Sequence, residues 1–199
     1  QILYNLSSNI ASYPSFGKII DNEKAINSKK GEYRSSSHNF IFKDSVTVVA
    51  KDYNILTENM RYNSNTETTY FFGPSYIVSN NKEIYCENGW YNTRTNISQF
   101  QERAYINTGN YILKGDSLYY NKNLGYGKAI KNVEVIDTIE NITVFGGFAE
   151  YFEKEEFVEI TQRPVLQILI ENDTLFMHAN KFVSDQRTGM EKILAYNKV

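Results

Sequence analysis

The chain has 199 residues, of which 41% are hydrophobic and 15% aromatic, and a formal charge of −2. Sixteen tyrosines and twelve phenylalanines are ample for a core and exclude a disordered chain, and the near-neutral balance without a basic block excludes nucleic-acid binding by phosphate neutralisation. A single cysteine, Cys86, excludes an intrachain disulfide framework, and no run approaches the roughly 18 apolar residues of a membrane-crossing helix.

From its first residues the chain is punctuated by tyrosine. Tyr4, Tyr33, Tyr62, Tyr91 and Tyr120 stand 29 residues apart, and Tyr151 and Phe182 follow at intervals of 31. A fixed period of this length marks a repeat architecture, which offers a long surface rather than one special cleft. With each Tyr or Phe as position 0, the −7 column reads Ile26, Ile55, Ile84, Leu113, Val144, Leu175. The +15 column reads Ile19, Val48, Ile77, Ile106, Val135, Leu166, so both are aliphatic throughout. Position +9 is mostly bulky (Tyr13, Phe42, Phe71, Phe100, Ala129, Ile160), and −5 is mostly small (Ser28, Thr57, Cys86, Gly115, Gly146, Met177).

Side chains two apart share a strand face, so each repeat is expected to supply two strands with one apolar face each. Val46-Thr47-Val48-Val49, Tyr76-Ile77-Val78 and Val133-Glu134-Val135-Ile136 have the β-branched content of strands. Asn63-Ser64-Asn65, Asn80-Asn81-Lys82, Asn92-Thr93-Arg94 and Asn121-Lys122-Asn123 read as turns between them. Pro14, Pro74 and Pro164 fall in the second half of a repeat, where a residue without an N–H suits an edge or a bulge. The segment 149–156 is the nearest thing to a helix, but its place in the period makes it a strand end and turn. One continuous period over residues 1–199 predicts a single elongated domain. The chain opens and closes inside the pattern, which suggests a piece of a longer protein.

Catalytic and metal chemistry finds little support. His38 and His178 occupy different repeat positions, +5 and −4, with no Cys or second His at ligand spacing, so no metal site is expected. Cys86 lies in the small column and reads as a buried structural thiol. Gly125-Tyr126-Gly127 lacks the rest of a dinucleotide fingerprint, and Glu153, Glu155 and Glu156 read as a solvated turn. No cofactor and no catalytic residue are expected.

Each tyrosine is preceded by a finer pattern: an acid, any residue, an aliphatic or small residue, any residue, Tyr. Glu58-Asn59-Met60-Arg61-Tyr62, Glu87-Asn88-Gly89-Trp90-Tyr91 and Asp116-Ser117-Leu118-Tyr119-Tyr120 carry it, and the last continues through Gly127-Lys128-Ala129 to Val133-Glu134-Val135. Over roughly residues 26–183 this resembles the OstA-like family. That family includes the periplasmic lipopolysaccharide-transport bridge protein and the N-terminal domain of the outer-membrane lipopolysaccharide-assembly protein. Its Ala/Gly-Asp-x-Leu-x-Tyr signal is followed by a turn and a Gly-x-Val strand. Here Glu often replaces Asp, Gly146-Gly147 loses the acid, His178 stands in its place in the last unit, and the repeats are long. The chain is therefore similar to a divergent, Bacteroidetes-type branch.

The resemblance implies an all-β fold, a repetitive antiparallel β-jellyroll of stacked strands with repeats of about 29–31 residues. It also implies a non-enzymatic, exported, periplasmic protein of outer-membrane biogenesis that binds lipopolysaccharide or lipid A. Such a protein carries acyl chains in an apolar groove toward the outer membrane and joins other bridge components by end-to-end strand pairing. The columns agree, since each CH₂ buried in an apolar interior stabilises binding by about 0.8 kcal/mol. Tyr13, Phe42, Phe71, Ile84, Phe100, Ile106, Leu113 and Val135 are the expected lining. The alternative is a structural or adhesin-like β-repeat protein binding carbohydrate or protein through aromatics such as Trp90, Tyr91, Tyr119 and Tyr120. An enzyme on a β-solenoid would need acids or histidines clustered on one repeat face, which the chain lacks.

Overall fold

Among the described residues the chain is antiparallel β-strand joined by short turns, with one single-turn 3-10 helix at Ser35–Ser37. The computed structural model describes residues 1–21, 24–79, 82–171, 173–187 and 192–196. The expected turn at Asn80-Asn81 lies outside these residues. Two compact units divide the chain, Gln1–Phe100 and Gln101–Val199.

The first unit holds β1 (Leu3–Asn5), β2 (Ile10–Tyr13), β3 (Gly17–Asp21), β4 (Lys24–Ser28), β5 (Lys30–Arg34), β6 (Asn39–Val49), β7 (Asn54–Asn63), β8 (Thr68–Ser79) and β9 (Lys82–Asn92). The strand β10 (Ile97–Asn107) begins there. From β6 to β9 each long strand pairs with the next, and β2 with β3 and β4 with β5 are long strands broken in two. The second unit continues with β11 (Tyr111–Asn121), β12 (Tyr126–Asp137), β13 (Ile142–Phe152), β14 (Phe157–Thr161), β15 (Val165–Ile170), β16 (Asp173–His178), β17 (Lys181–Asp185) and β18 (Lys192–Tyr196). Here β13 pairs with both β14 and β15, whose outer neighbours are β17 and β16.

The repeat period is written into the backbone. At position +5 each of the first six repeats turns through a left-handed residue: Asn9, His38, Glu67, Asn96, Gly125 and Glu156 all have φ between 53° and 64°. Position +1 is often Asn, whose Oδ1 accepts turn N–H groups: Asn63 from Asn65 and Thr66, Asn121 from Asn123 and Leu124. Successive turns also bond to each other. The amide of Ser35 donates to Asn9 O, that of Ser64 to His38 O, that of Thr93 to Glu67 O and that of Glu153 to Gly125 O. The segment 149–156 is the end of β13 and one of these turns, as its period position predicts.

A second left-handed site recurs at +11 and +12. The pairs are Asp44 (φ 63°) and Ser45 (60°), Glu102 (61°) and Arg103 (57°), Lys131 (58°) and Asn132 (49°), and Gln162 (63°) and Arg163 (60°). Gly73 (φ 80°) and Pro74 occupy the same place in β8. The ladder register breaks there, between Lys43 and Val46, Phe72 and Ser75, and Ile130 and Val133. Each is a β-bulge that bends a long strand into two arms. Pro74 falls in the gap, where its missing N–H costs no ladder bond. Opposite each bulge lies position −4, the acid of the sequence pattern. Asp116 there accepts two bonds from Asn132 Nδ2 at 3.0 and 3.1 Å, and Glu58 lies over Gly73. Gly147 replaces the acid in the next repeat, and the side chain of Gln162 fills its space.

The bulge also resolves a parity problem. Positions −5 and −2 are three apart, yet Thr57 and Met60 are both buried, at 2% and 3% exposure. The extra residue is absorbed at the bulge, so both arms turn their apolar side inward. One layer at −2/+9 runs Gly31, Phe42, Met60, Phe71, Gly89 across the ladder of the first unit. Its counterpart in the second runs Leu118, Ala129, Ala149, Ile160, Phe182. Large faces small: Phe42 and Phe71 are seated beside Gly31 and Gly89, and Ala129 is opposite Leu118. A close-packed interior needs that alternation.

The last unit shifts frame. Phe182 faces Ile160, the −2 place, and Ser184 faces Val158 where a tyrosine is expected. Met177 rather than Leu175 therefore meets Leu166. That explains why Leu175 is 46% exposed and why Met177 broke the small −5 column.

Candidate functional site

The inner face has a closed part and an open part. The closed part is the −2/+9 layer with the small −5/+13 layer at the bend, where Thr57, Ser75, Cys86, Val46, Ala104 and Val133 are at most 2% exposed. Hydroxyls in this layer pair: Thr57 Oγ1 and Ser75 Oγ are 2.6 Å apart, so one donates to the other while the second donates to a carbonyl, Asn59 O for Thr57 or Gly73 O for Ser75. Burial pushes the Cys86 thiol up to about 12, so the lone cysteine is a structural group and not a nucleophile at neutral pH.

The −7/+15 ladder is open in the first unit and largely closed in the second, where Val135, Val144 and Leu166 are buried. In the first unit Ile19 faces Ile26, Ile26 faces Val48, Val48 faces Ile55, Ile55 faces Ile77, and Ile77 faces Ile84. The second unit has Leu113 facing Val135, Val135 facing Val144, and Val144 facing Leu166. Every side chain of the first ladder except Val48 is only half-buried. On the other arm the repeat tyrosines form a matching rim. Tyr33 stacks on Phe40 with centroids 4.4 Å apart, and Phe40 meets Tyr62 at 6.3 Å.

At the first repeat the two arms line a half-open cavity of about 330 Å³. Tyr13, Phe16, Ile19, Tyr33, Phe40 and Phe42 supply its apolar lining, with Lys18 and Glu32 beside them. Tyr13 crosses it: a Cβ on Gly31 would lie 2.2 Å from the ring and one on Gly17 2.4 Å. The Tyr13 hydroxyl stands 2.6 Å from Ser28 Oγ, which itself donates to Lys30 O at 2.9 Å. Tyr13 is therefore the donor in its bond to Ser28.

The sequence-predicted lining residues fall into both parts. Phe42, Phe71, Phe100 and Val135 are buried at 2%, 2%, 5% and 8% exposure, and the first three lie in the closed layer. Tyr13 and Phe42 both line the cavity. Ile84 and Leu113 lie half-buried on the two ladders, and Ile106 is half-buried near the end of β10. Sequence reasoning missed Phe16, Tyr33 and Phe40 as lining; the glycines at −2, Gly31 and Gly89, were the available sign that aromatic rings cross there.

The polar groups outside this face are tied to one another. Tyr120 donates to Glu153 Oε2 at 2.6 Å, and Lys114 pairs with Glu134 at 2.7 Å. His38 closes the 3-10 turn in a left-handed conformation, and His178 is exposed opposite Val165. Among the described residues no three of His, Cys, Asp and Glu cluster to hold a metal, and no helix is long and apolar enough to cross a membrane.

The model of a family described as OstA-like protein matches the chain in two overlapping stretches, residues 1–58 and 54–116. Among solved structures the chain is similar to LptH of Pseudomonas aeruginosa, the LptA-homologous periplasmic component of its lipopolysaccharide transport device. The identity is 13% and the TM-score 0.34, over 74% of this chain and 94% of that one. No curated protein matches.

Proposed function

This chain belongs to the OstA-like protein family, and from that membership we propose that it is a non-enzymatic periplasmic component of a lipopolysaccharide-transport bridge. Its ligand is lipopolysaccharide or lipid A, held by acyl chains against the inner face between the two strand arms. The lining comprises Tyr13 and Phe42 at the cavity and the half-buried Ile84, Ile106 and Leu113 toward the open side, with Val135 buried behind Leu113. Phe71 and Phe100 form the floor beneath. Other bridge components join by strand pairing at the ends of the array.

The observation that carries this reading is the half-covered aliphatic ladder from Ile19 to Ile84. A repeat protein with a purely structural core would close that layer as tightly as the −2/+9 layer. Five of its six registered aliphatic side chains instead remain partly open along one face, with an aromatic rim opposite. Each methylene laid there stabilises binding by about 0.8 kcal/mol, and near-equivalent sites from repeat to repeat let a chain shift without a large barrier.

Photo-crosslinking tests it. A benzoylphenylalanine at Ile55, Ile84 or Leu113 is expected to capture lipopolysaccharide, with capture lost to excess lipid A and absent at exposed Lys122. Equal labelling at Lys122, or none at the three inner positions in a folded protein, would overturn the reading.

A further inference from the structure

The hydroxyl at −5 is served differently in the first two repeats. Thr57 takes its second partner from Ser75, a short side chain in the same layer. Ser28 cannot do so across its ladder, because the residue opposite is Gly17. Its partner is Tyr13, whose ring reaches over Gly17 and Gly31 to place its hydroxyl 2.6 Å away. A large aromatic thereby stands in the lining of the 330 Å³ cavity, anchored by a hydrogen bond at its tip and packed close against two glycines. Beyond it the core is closed by Phe42 and Val46, at 2% and 0% exposure.

We propose that Tyr13 is the floor of this cavity and sets the length of acyl chain it accepts. The proposal rests on the acyl-binding reading above and adds the specificity determinant. The cavity lies at the lower end of the ~300–1,000 Å³ range of ligand pockets, which suits one saturated chain rather than a whole multi-chain lipid. Lys18 at the lining supplies a cation for the carboxylate or phosphate at the head of such a chain. A longer chain meets the ring of Tyr13, and its further methylenes stay in water and add nothing to affinity.

The test is a chain-length series on the 199-residue chain: decanoate, dodecanoate, tetradecanoate, hexadecanoate and octadecanoate, titrated calorimetrically. For the unmodified protein affinity rises with length and then levels off. Tyr13→Ala opens the space above Gly17 and Gly31, so the plateau moves to longer chains and octadecanoate gains about tenfold, while decanoate changes little. Tyr13→Trp enlarges the floor and moves the plateau to shorter chains. Circular dichroism verifies the fold, and if the alanine variant does not fold the tryptophan variant decides alone. An unmodified protein that binds no chain of any length overturns the acyl-binding reading itself. An unmodified protein that binds with a plateau, but whose plateau does not move in a folded variant, overturns the role of Tyr13 and leaves that reading standing.

Discussion

Tyr13 and Ser28 are joined hydroxyl to hydroxyl at 2.6 Å inside the first repeat, and Ser28 donates its own hydrogen bond to Lys30 O. Tyr13→Phe removes the donor and leaves Ser28 still bonded to the carbonyl. Loss of one such bond without an orphaned partner costs about 1 kcal/mol. Urea unfolding is expected to show the midpoint fall with the m-value unchanged.

Gly89 is required by its neighbours. A Cβ there would stand 2.9 Å from the backbone oxygen of Gln99 and 3.0 Å from Phe100. Because the nearer obstacle is backbone, Gly89→Ala is expected to cost about 1–3 kcal/mol, as overpacking does in a closed core. Denaturant unfolding measures it; a neutral substitution would mean that the −2/+9 layer is looser than described.

The two parts of the inner face should respond differently to truncation. Phe71 is 2% exposed between Met60 and Gly89, so Phe71→Ala is expected to cost about 3–5 kcal/mol. Ile84→Ala, on the half-open ladder, costs less in stability and weakens lipid capture at its neighbours. Thermal unfolding and crosslinking yield, measured together on both variants, separate core from binding surface.

The carboxyl at Asp185 is an identifiable source of acid sensitivity. The Arg187 guanidinium bonds both Asp185 oxygens, at 2.9 and 2.6 Å, and holds that carboxyl down at about 2 from an ordinary 3.8. A carboxyl depressed in the folded state contributes stability that is complete above its unfolded value and lost as pH falls through its folded value. The contribution therefore fades between about pH 4 and pH 2. Asp185→Asn is expected to flatten the pH dependence of unfolding in that window and to leave its slope at neutral pH unchanged.

Cys86 should be silent in the folded protein. With its thiol fully buried and pushed up to about 12, labelling by a thiol-specific disulfide reagent at pH 8 is expected only after unfolding. Rapid labelling without denaturant would place Cys86 outside the closed layer.

Much of this arrangement was legible in the tyrosine spacing. The −7 and +15 columns, read as aliphatic from sequence, are direct cross-strand partners from Ile19 through Ile84. The acid before each tyrosine proved to be the residue outside a bulge, as Asp116 and Asn132 show. The bulges were legible only in part. Pro74 marked the one in β8, but Asp-Ser, Gly-Pro, Glu-Arg, Lys-Asn and Gln-Arg occupy the same place, and only Gly73, Asp44 and Asn132 are residue types that visit left-handed backbone readily. At Glu102-Arg103 and Gln162-Arg163 no local signal announces the bend. The cavity was hidden for a related reason. Tyr13 looks like any other +9 aromatic until Gly17 and Gly31, on two other strands, are seen to make room for its ring. In the last unit aromatic identity misled, because Phe182 carries the expected residue type two places away from the tyrosine position.

The turn-to-turn bonds make length a stepwise property of this fold. In the first unit successive turns offer the carbonyl of the +5 residue to the +2 amide of the next, as Asn9 does to Ser35, His38 to Ser64 and Glu67 to Thr93. Excising residues 63–91 would set Asn92 directly behind Tyr62, in the seat of Asn63, with every column, bulge and turn bond again in place. A cut of any other size would carry the following bulge out of line with its partner. The array can thus gain or lose reach only in whole repeats.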